Sequence, residues 1–198
     1  MTKKLRKRLL NPEFKGKIKK LFGNLNEYQI RHISELYHMA THDEKTGLYN
    51  NKFFENVLEM EMEKAQRGYQ KLCLFMIDVD FFRKINEKHG HIKADEFLNH
   101  LAKILKKQLR TSDIAARFGG EEFFILLPQT DLEKAKTITS RLRDTIKKDR
   151  ILGKHKITVS GGLTEYRNKD TKKSFKERAD KALYKAKQTG RDRFVAID

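Results

Sequence analysis

Two pairs of carboxylates each stand beside an apolar run. Glu121 and Glu122 follow two glycines in Arg117-Phe118-Gly119-Gly120-Glu121-Glu122-Phe123, between the apolar segments Ile114 to Phe118 and Phe123 to Leu127. Two β-type segments across Gly-Gly read as a hairpin whose tight turn needs positive φ, which glycine adopts without a Cβ clash. Glycine also lets a ligand approach the backbone closely. A turn of this kind can hold a polyphosphate and the metal ion that neutralises it. An ordinary hairpin with two solvated glutamates gives the same local pattern.

Asp78 and Asp80 form the second pair. They end the continuous apolar run Leu72-Cys73-Leu74-Phe75-Met76-Ile77, whose length and bounds suit a central strand buried on both faces. Carboxylates at the end of such a strand are costly unless solvated, paired or metal-bound. A strand-end acid and a glutamate from a neighbouring hairpin make an oxygen-ligand site for Mg²⁺, which takes one or two carboxylates plus phosphate oxygens. A strand-ending turn, which Asp also favours, is the plainer reading of the same residues.

These segments have a wider context. Asp78-Val79-Asp80-Phe81-Phe82-Arg83-Lys84-Ile85-Asn86, then Asp95, then Gly119-Gly120-Glu121-Glu122-Phe123 resembles the GGDEF family of diguanylate cyclases. The opening Asp43-Glu44-Lys45-Thr46-Gly47-Leu48-Tyr49-Asn50, the late Ser160-Gly161-Gly162 and the final stretch from Ala179 to Arg191 resemble further family motifs in the same order. The resemblance covers Asp43 to about Ile197.

The resemblance implies condensation of two GTP into cyclic di-GMP with release of two pyrophosphates, at a site shared across a homodimer. Phosphoryl transfer of this kind needs in-line positioning and neutralisation of charge on the phosphates. By resemblance, Asp78 and Glu121 bind Mg²⁺ (or Mn²⁺ in its place), with the Val79 carbonyl as a further ligand. Glu122 assists the metal or receives the 3′-hydroxyl proton, which makes Glu121 and Glu122 the catalytic pair. Asn86 and Asp95 match the positions that read guanine: a carboxylate accepts from N1–H and N2–H₂, a donor pair adenine lacks. Phe81 and Phe82 back the nucleotide, Gly119 and Gly120 let the turn pass it closely, and Arg83, Lys187 and Arg191 contact phosphates.

A second site is implied by Arg110-Thr111-Ser112-Asp113, five residues before Gly119. Arg110 and Asp113 match the family's product-inhibition motif, which binds cyclic di-GMP, and Arg141 is placed like a supporting arginine. An Arg-guanidinium can grip a guanine edge or phosphate in a planar fork. The chain also departs from the family pattern. Ala94 replaces a glycine before Asp95, so one methyl is expected to crowd the base or the turn. Arg83 replaces a lysine, Glu87 an aspartate, Lys45 a leucine and Asn51 an arginine. None of these removes an expected metal ligand. A catalytically silent receptor for GTP or cyclic di-GMP, acting through a protein partner, is the alternative reading.

The elements that must position these residues follow from periodicity. Helices are expected over about Asn51 to Arg67, Phe82 to Glu87, Ala94 to Leu109, Leu132 to Lys148 and Phe175 to Gln188. Strands are expected over Lys71 to Asp78, the two hairpin arms, Lys156 to Leu163 and Arg193 to Ile197. Asp131 reads as an N-cap and Gly190 as a helix stop. The fold class is therefore α/β (α+β). By resemblance it is a palm-like domain with a central, mixed, mostly antiparallel five-stranded sheet flanked by helices. Residues 1–42 read as a basic arm and a short stalk helix, from the helical spacing of Tyr28, Ile33, Leu36, Tyr37 and Ala40. Residues 43–198 read as the cyclase domain.

Composition agrees with one domain of ordinary size among the chain's 198 residues. No apolar stretch reaches the roughly 18 residues of a membrane span, and no secretory signal is read at the basic start. The one cysteine, Cys73, excludes an internal disulfide and suits a reducing cytoplasm. Net charge is +17; residues 1–42 hold 10 Lys and Arg against 3 acids, leaving +10 for the rest. A polyanionic nucleotide accounts for part of that excess. The arm, Met1 to about Lys20, is open to contact with nucleic acid or an anionic membrane.

Overall fold

A computed structural model describes residues 25–198 together with Gly16, Lys20 and Gly23. The arm read from Met1 to Lys20 lies otherwise outside the described residues. The chain divides into two compact units, Met1–His42 and Asp43–Asp198. In the first, helix α1 (Glu27–Thr41) opens with a capping box: Gln29 N–H donates to Asn26 Oδ1 at 2.9 Å, and Asn26 N–H to Gln29 Oε1 at 3.0 Å.

The second unit is built on β2 (Leu72–Val79), buried over its whole length. It pairs antiparallel with β4 (Glu122–Pro128) on one side and β5 (Val159–Glu165) on the other. Beyond β4 lies β3 (Ile114–Gly119), antiparallel to it, and beyond β5 lies β6 (Phe194–Ala196), parallel to it. A two-residue strand β1 (Tyr49–Asn50) pairs parallel with β3 at the edge, so the described residues form six strands in the order β1-β3-β4-β2-β5-β6. The sheet is mixed and mostly antiparallel, with one strand more than expected.

Strand alternation sorts the core into two layers. Cys73, Phe75, Ile77 and Val79 of β2 join Phe123, Ile125 and Leu127 of β4 on one face. That face is covered by Phe97, Leu98, Leu101 and Leu105 of α4 (His91–Gln108) and by Leu142 and Ile146 of α5 (Leu132–Lys147). Leu72, Leu74 and Met76 join Phe124 and Leu126 on the other face. There they meet Phe54, Leu58 and Met62 of α2 (Asn51–Gln66) and Phe175, Ala179 and Leu183 of α7 (Lys172–Gln188). Cys73 is a small buried member of the core whose Sγ–H meets the Thr130 carbonyl at 3.2 Å; burial pushes its thiol up out of reach of ordinary pH.

Several boundaries differ from the sequence reading for local reasons. The helix α3 (Phe82–His89) runs two residues further than expected, and α4 begins at His91, the break between them being Gly90 at φ +77°. Strand β5 begins three residues late because Lys156 takes φ 54°. A short helix α6 (Arg150–Lys154) was not anticipated; Asp149 caps it by accepting from the amides of Ile151 and Leu152, both at 2.9 Å. The Asp131 cap of α5 is present, accepting from Lys134 N–H at 2.8 Å.

Candidate active site

The end of β2 and the β3–β4 turn meet through the strand register. Asp78 lies directly across from Glu122 on β4 and from Ser160 on β5. Gly119 pairs with Glu122, so the turn itself is Gly120-Glu121, and a register shift falls between Arg117 and Gly119. Only Gly120 of the two glycines needs the left-handed region, at φ +48°, and a Cβ at either would meet open space. The Val79 amide donates to the Glu121 carbonyl at 3.3 Å, which fastens the turn beside Asp78.

Arg117 holds the same turn from its other side. Its Nε and Nη2 donate to the Gly120 carbonyl at 2.9 and 2.7 Å, and its Nη1 reaches Asp43 Oδ1 at 3.3 Å. Burial alone would raise the Asp43 carboxyl, but the Thr46 hydroxyl and amide, with the Arg117 guanidinium, outweigh it and hold it below the usual range. This tie was not read from the sequence, where nothing marked Arg117 apart from other basic residues.

The carboxylates form a crowded negative group. Burial raises the Asp78 carboxyl above its ordinary range; Lys187 opposes this, while Glu121 and Asp80 add to it. Burial and the Asp78 charge likewise raise Glu122. Lys187 Nζ, at the end of α7, lies 2.9 Å from Asp78 Oδ1. Asp80, in contrast, is buried and fully engaged. Its Oδ2 accepts from Thr158 Oγ1 at 2.7 Å and from the Asp192 amide at 3.1 Å, and its Oδ1 accepts from Ser160 Oγ at 2.7 Å. Asp80 therefore locks β2 to β5 and to the segment after α7.

Beside the turn an open cavity of about 360 Å³ is lined by Phe82, Arg83, Asn86, Glu87, His91 and Glu121. This lies within the size range of small-molecule sites. Asn86 Oδ1 lies 3.1 Å from His91 Nδ1. Arg83 is almost fully exposed and pairs with Glu87 at 3.0 Å. Phe81 is half exposed at φ 54°, with the Arg191 guanidinium 4.5 Å from its ring centre. Phe82 serves both the cavity wall and the core. Asp95 stands on α4 outside the cavity lining and pairs with Lys45 Nζ at 2.8 Å. Ala94, expected to crowd the base or the turn, is wholly buried in the core, and its methyl does not line the cavity.

The second cluster sits at the far end of β3, roughly 20 Å of strand away from the turn. The Arg110 amide donates to Asp113 Oδ2 at 2.8 Å, and Arg141 Nη2 donates to the Gln108 carbonyl at 3.1 Å. Asp113 is buried, which raises its carboxyl against the pull of Arg110 and Arg141, and its Oδ1 has no hydrogen-bond partner. A buried acceptor left open in this way is uncommon.

Among the described residues, no group of three or more His, Cys, Asp or Glu side chains is drawn together as a finished metal cage. The donor set nevertheless fits a hard divalent cation. It is all oxygen, and an ammonium already lies on Asp78 as a positive stand-in. No described helix is long and apolar enough to cross a membrane.

Comparison with known proteins gives a consistent picture. The family described as "Diguanylate cyclase, GGDEF domain" matches residues 40–193. The chain is similar to diguanylate cyclase DgcP of Pseudomonas aeruginosa, 36% identical over 190 residues, covering 91% of this chain and 28% of that protein. It is similar to diguanylate cyclase DgcM of Escherichia coli, 38% identical over 168 residues, covering 85% of this chain and 41% of that protein. The chain thus spans under half the length of each of these relatives. Its fold is similar to the GGDEF domain of DgcB from Caulobacter crescentus, solved in complex with c-di-GMP, with TM-score 0.74, 31% identity, and coverage of 79% of this chain and 95% of that one.

Proposed function

Since this chain belongs to the GGDEF family of diguanylate cyclases, we propose that it condenses two GTP molecules into cyclic di-GMP, with release of two pyrophosphates. The observation that carries this reading is the strand register that sets Asp78 opposite Glu122, next to the turn residue Glu121, which with Asn86 lines the cavity. In this reading Asp78, Glu121 and the Val79 carbonyl hold Mg²⁺ or Mn²⁺, with Glu122 beside them. A bound divalent cation supplies charge neutralisation for the phosphates and lowers the pKa of a nearby hydroxyl.

The chain's own residues do the rest. Asn86 and Asp95 recognise the guanine edge, and Phe82 walls the base. The Phe81–Arg191 stack presents a guanidinium to the phosphates, and Arg83 and Lys187 add positive charge there. Gly119 and Gly120 leave the turn open to close approach. Glu122, whose carboxyl is raised by burial and by Asp78, suits a group that takes the 3′-hydroxyl proton. One domain provides one such site, so the reaction is assigned to a homodimer with the sites facing. The unpartnered, buried Oδ1 of Asp113, whose carboxylate feels the charges of Arg110 and Arg141, supports a second guanine-binding site for the product. Working on GTP places the chemistry in the cytoplasm.

Incubation with GTP and Mg²⁺, with products identified by mass, tests the proposal beside an E121A/E122A control. Cyclic di-GMP from the parent and none from the control is the expected result. Tight nucleotide binding with no product, in protein freed of co-purified cyclic di-GMP and forced to dimerise, would overturn the cyclase reading in favour of a silent receptor.

A further inference from the structure

We propose that Lys45 is a positioning residue for the base-reading carboxylate Asp95, an inference that rests on the GTP reading above. Three observations carry it. The Lys45 ammonium lies 2.8 Å from Asp95 Oδ2. The Lys45 carbonyl accepts from Asn99 Nδ2 at 2.7 Å, one helical turn further along α4, so main chain and side chain of one residue are both tied to the same helix face. The loop carrying Lys45 is itself pinned, by Asp43 to Arg117 on one side and by Lys106 Nζ to the Gly47 carbonyl on the other.

Surface ion pairs generally contribute little, because two long side chains must be ordered to form them. Here much of that ordering is already done by the pinned loop. The consequence is geometric. Asp95 stands on the first turns of a helix with its side chain about a third exposed, free to rotate unless something holds it. Reading guanine requires both carboxylate oxygens in one plane with the base, accepting from N1–H and N2–H₂ at once. An ionised carboxylate offers about four lone-pair directions. The ammonium uses one, on Oδ2, and leaves one on each oxygen for the base. Lys45 and guanine are therefore compatible partners. The opposite arrangement, in which Lys45 competes with guanine for Asp95, predicts the reverse kinetics.

The test is steady-state cyclisation of GTP by the parent, K45M, K45R, D95A and K45M/D95A. K45M is expected to raise KM about three- to fivefold, the scale of one exposed charge pair, with kcat within about twofold. K45R should recover most of the loss. In the D95A background the Lys45→Met change should alter kcat/KM by less than about twofold, since the two residues then form one coupled unit. An unchanged or lowered KM in K45M would overturn the inference, as would an equal penalty with Asp95 absent. A parent that neither binds nor converts GTP removes the reading and the inference together. A parent that converts GTP while K45M behaves identically removes the inference alone.

Discussion

Substituting Gly162 by alanine should separate the sheet from its covering helix. Gly162 lies in β5, paired with Met76 of β2 on one side and Val195 of β6 on the other. A Cβ built there would stand 2.1 Å from the Ala179 carbonyl oxygen, 2.2 Å from the Leu183 nitrogen and 2.9 Å from the Ala182 carbonyl carbon. All three are backbone atoms of α7, so no side chain can swing aside. Ordinary non-bonded separation is about 3.5 Å, so the helix must retreat by about 1.4 Å or the strand must buckle. Overpacking of this kind costs about 3 kcal/mol. For a domain of this size that lowers Tm by about 6–12 °C.

The same shift reaches the site. Helix α7 delivers Lys187 to Asp78 at 2.9 Å and leads into Arg191. A displacement of about 1 Å at such groups is enough to cost a hundredfold in rate. Thermal and urea unfolding followed by circular dichroism would give the stability, and cyclic di-GMP formation the rate. Gly153 provides the control, because its added Cβ meets only the Lys147 carbonyl at 3.5 Å, and alanine is the better helix former within α6. G153A should be neutral or stabilising by about 0.5–1 kcal/mol. A G162A protein within about 1 kcal/mol of the parent, and equally active, would refute the seating of α7 on β5.

Two further outcomes follow from buried carboxylates. Arg178 Nη1 donates to both oxygens of Asp170, at 2.6 and 2.7 Å. Burial alone would raise Asp170, but Arg178, the Arg167 amide and the Ser174 hydroxyl together hold it below 3.8. A depressed acid contributes stability above its unfolded value and loses it as pH falls through the folded one. R178M should therefore lose about 3 kcal/mol at pH 7, and its gap from the parent should close as urea midpoints are taken below pH 3.8; a constant gap would refute the assignment. D80N replaces one acceptor oxygen by a donor facing Thr158, Ser160 or the Asp192 amide, and should cost about 2 kcal/mol and raise KM for GTP by loosening Arg191. Unchanged stability in urea would show that those donors find other partners.

The central strand, the hairpin and the capped helices were legible because each is a local signal. A six-residue apolar run, Leu72 to Ile77, bounded by the polar Gly68-Tyr69-Gln70-Lys71 before it and Asp78 after it, has the length and bounds of a strand buried on both faces. The edge strand β1 was not legible, since two residues carry no periodicity; it exists because the parallel neighbour β3 accepts it. Helix α6 escaped for a similar reason of length. Glycine roles were half legible. The turn required positive φ at one glycine rather than two, while Gly161-Gly162 reads as a motif whose physical causes, the Phe75 and Phe194 rings against Gly161 and the close approach of α7 to Gly162, are visible only in three dimensions. Ala94 is a further case: its extra methyl was counted against the base or the turn, and helix rotation sets it in the core.

What sequence proximity could not supply is the charge balance at the end of β2. Asp78 and Asp80 are two residues apart and chemically alike, yet the fold gives them opposite tasks. Ser160, Thr158 and the Asp192 amide satisfy Asp80, the last from 112 positions away, and leave it nothing to offer a ligand. Asp78 faces Glu121 and Glu122 instead, and its sole basic neighbour in direct contact among the described residues is Lys187. Burial first of all, with the neighbouring carboxylates adding to it against the pull of Lys187, makes both Asp78 and Glu122 hold protons more tightly than usual. Proton affinity in a cluster of hard oxygen donors is the demand that a divalent cation meets better than a proton does. That demand arises inside a domain whose total charge is strongly positive. The local sign at the β2 end, set by strand register rather than by composition, is what the proposed metal and triphosphate would meet there.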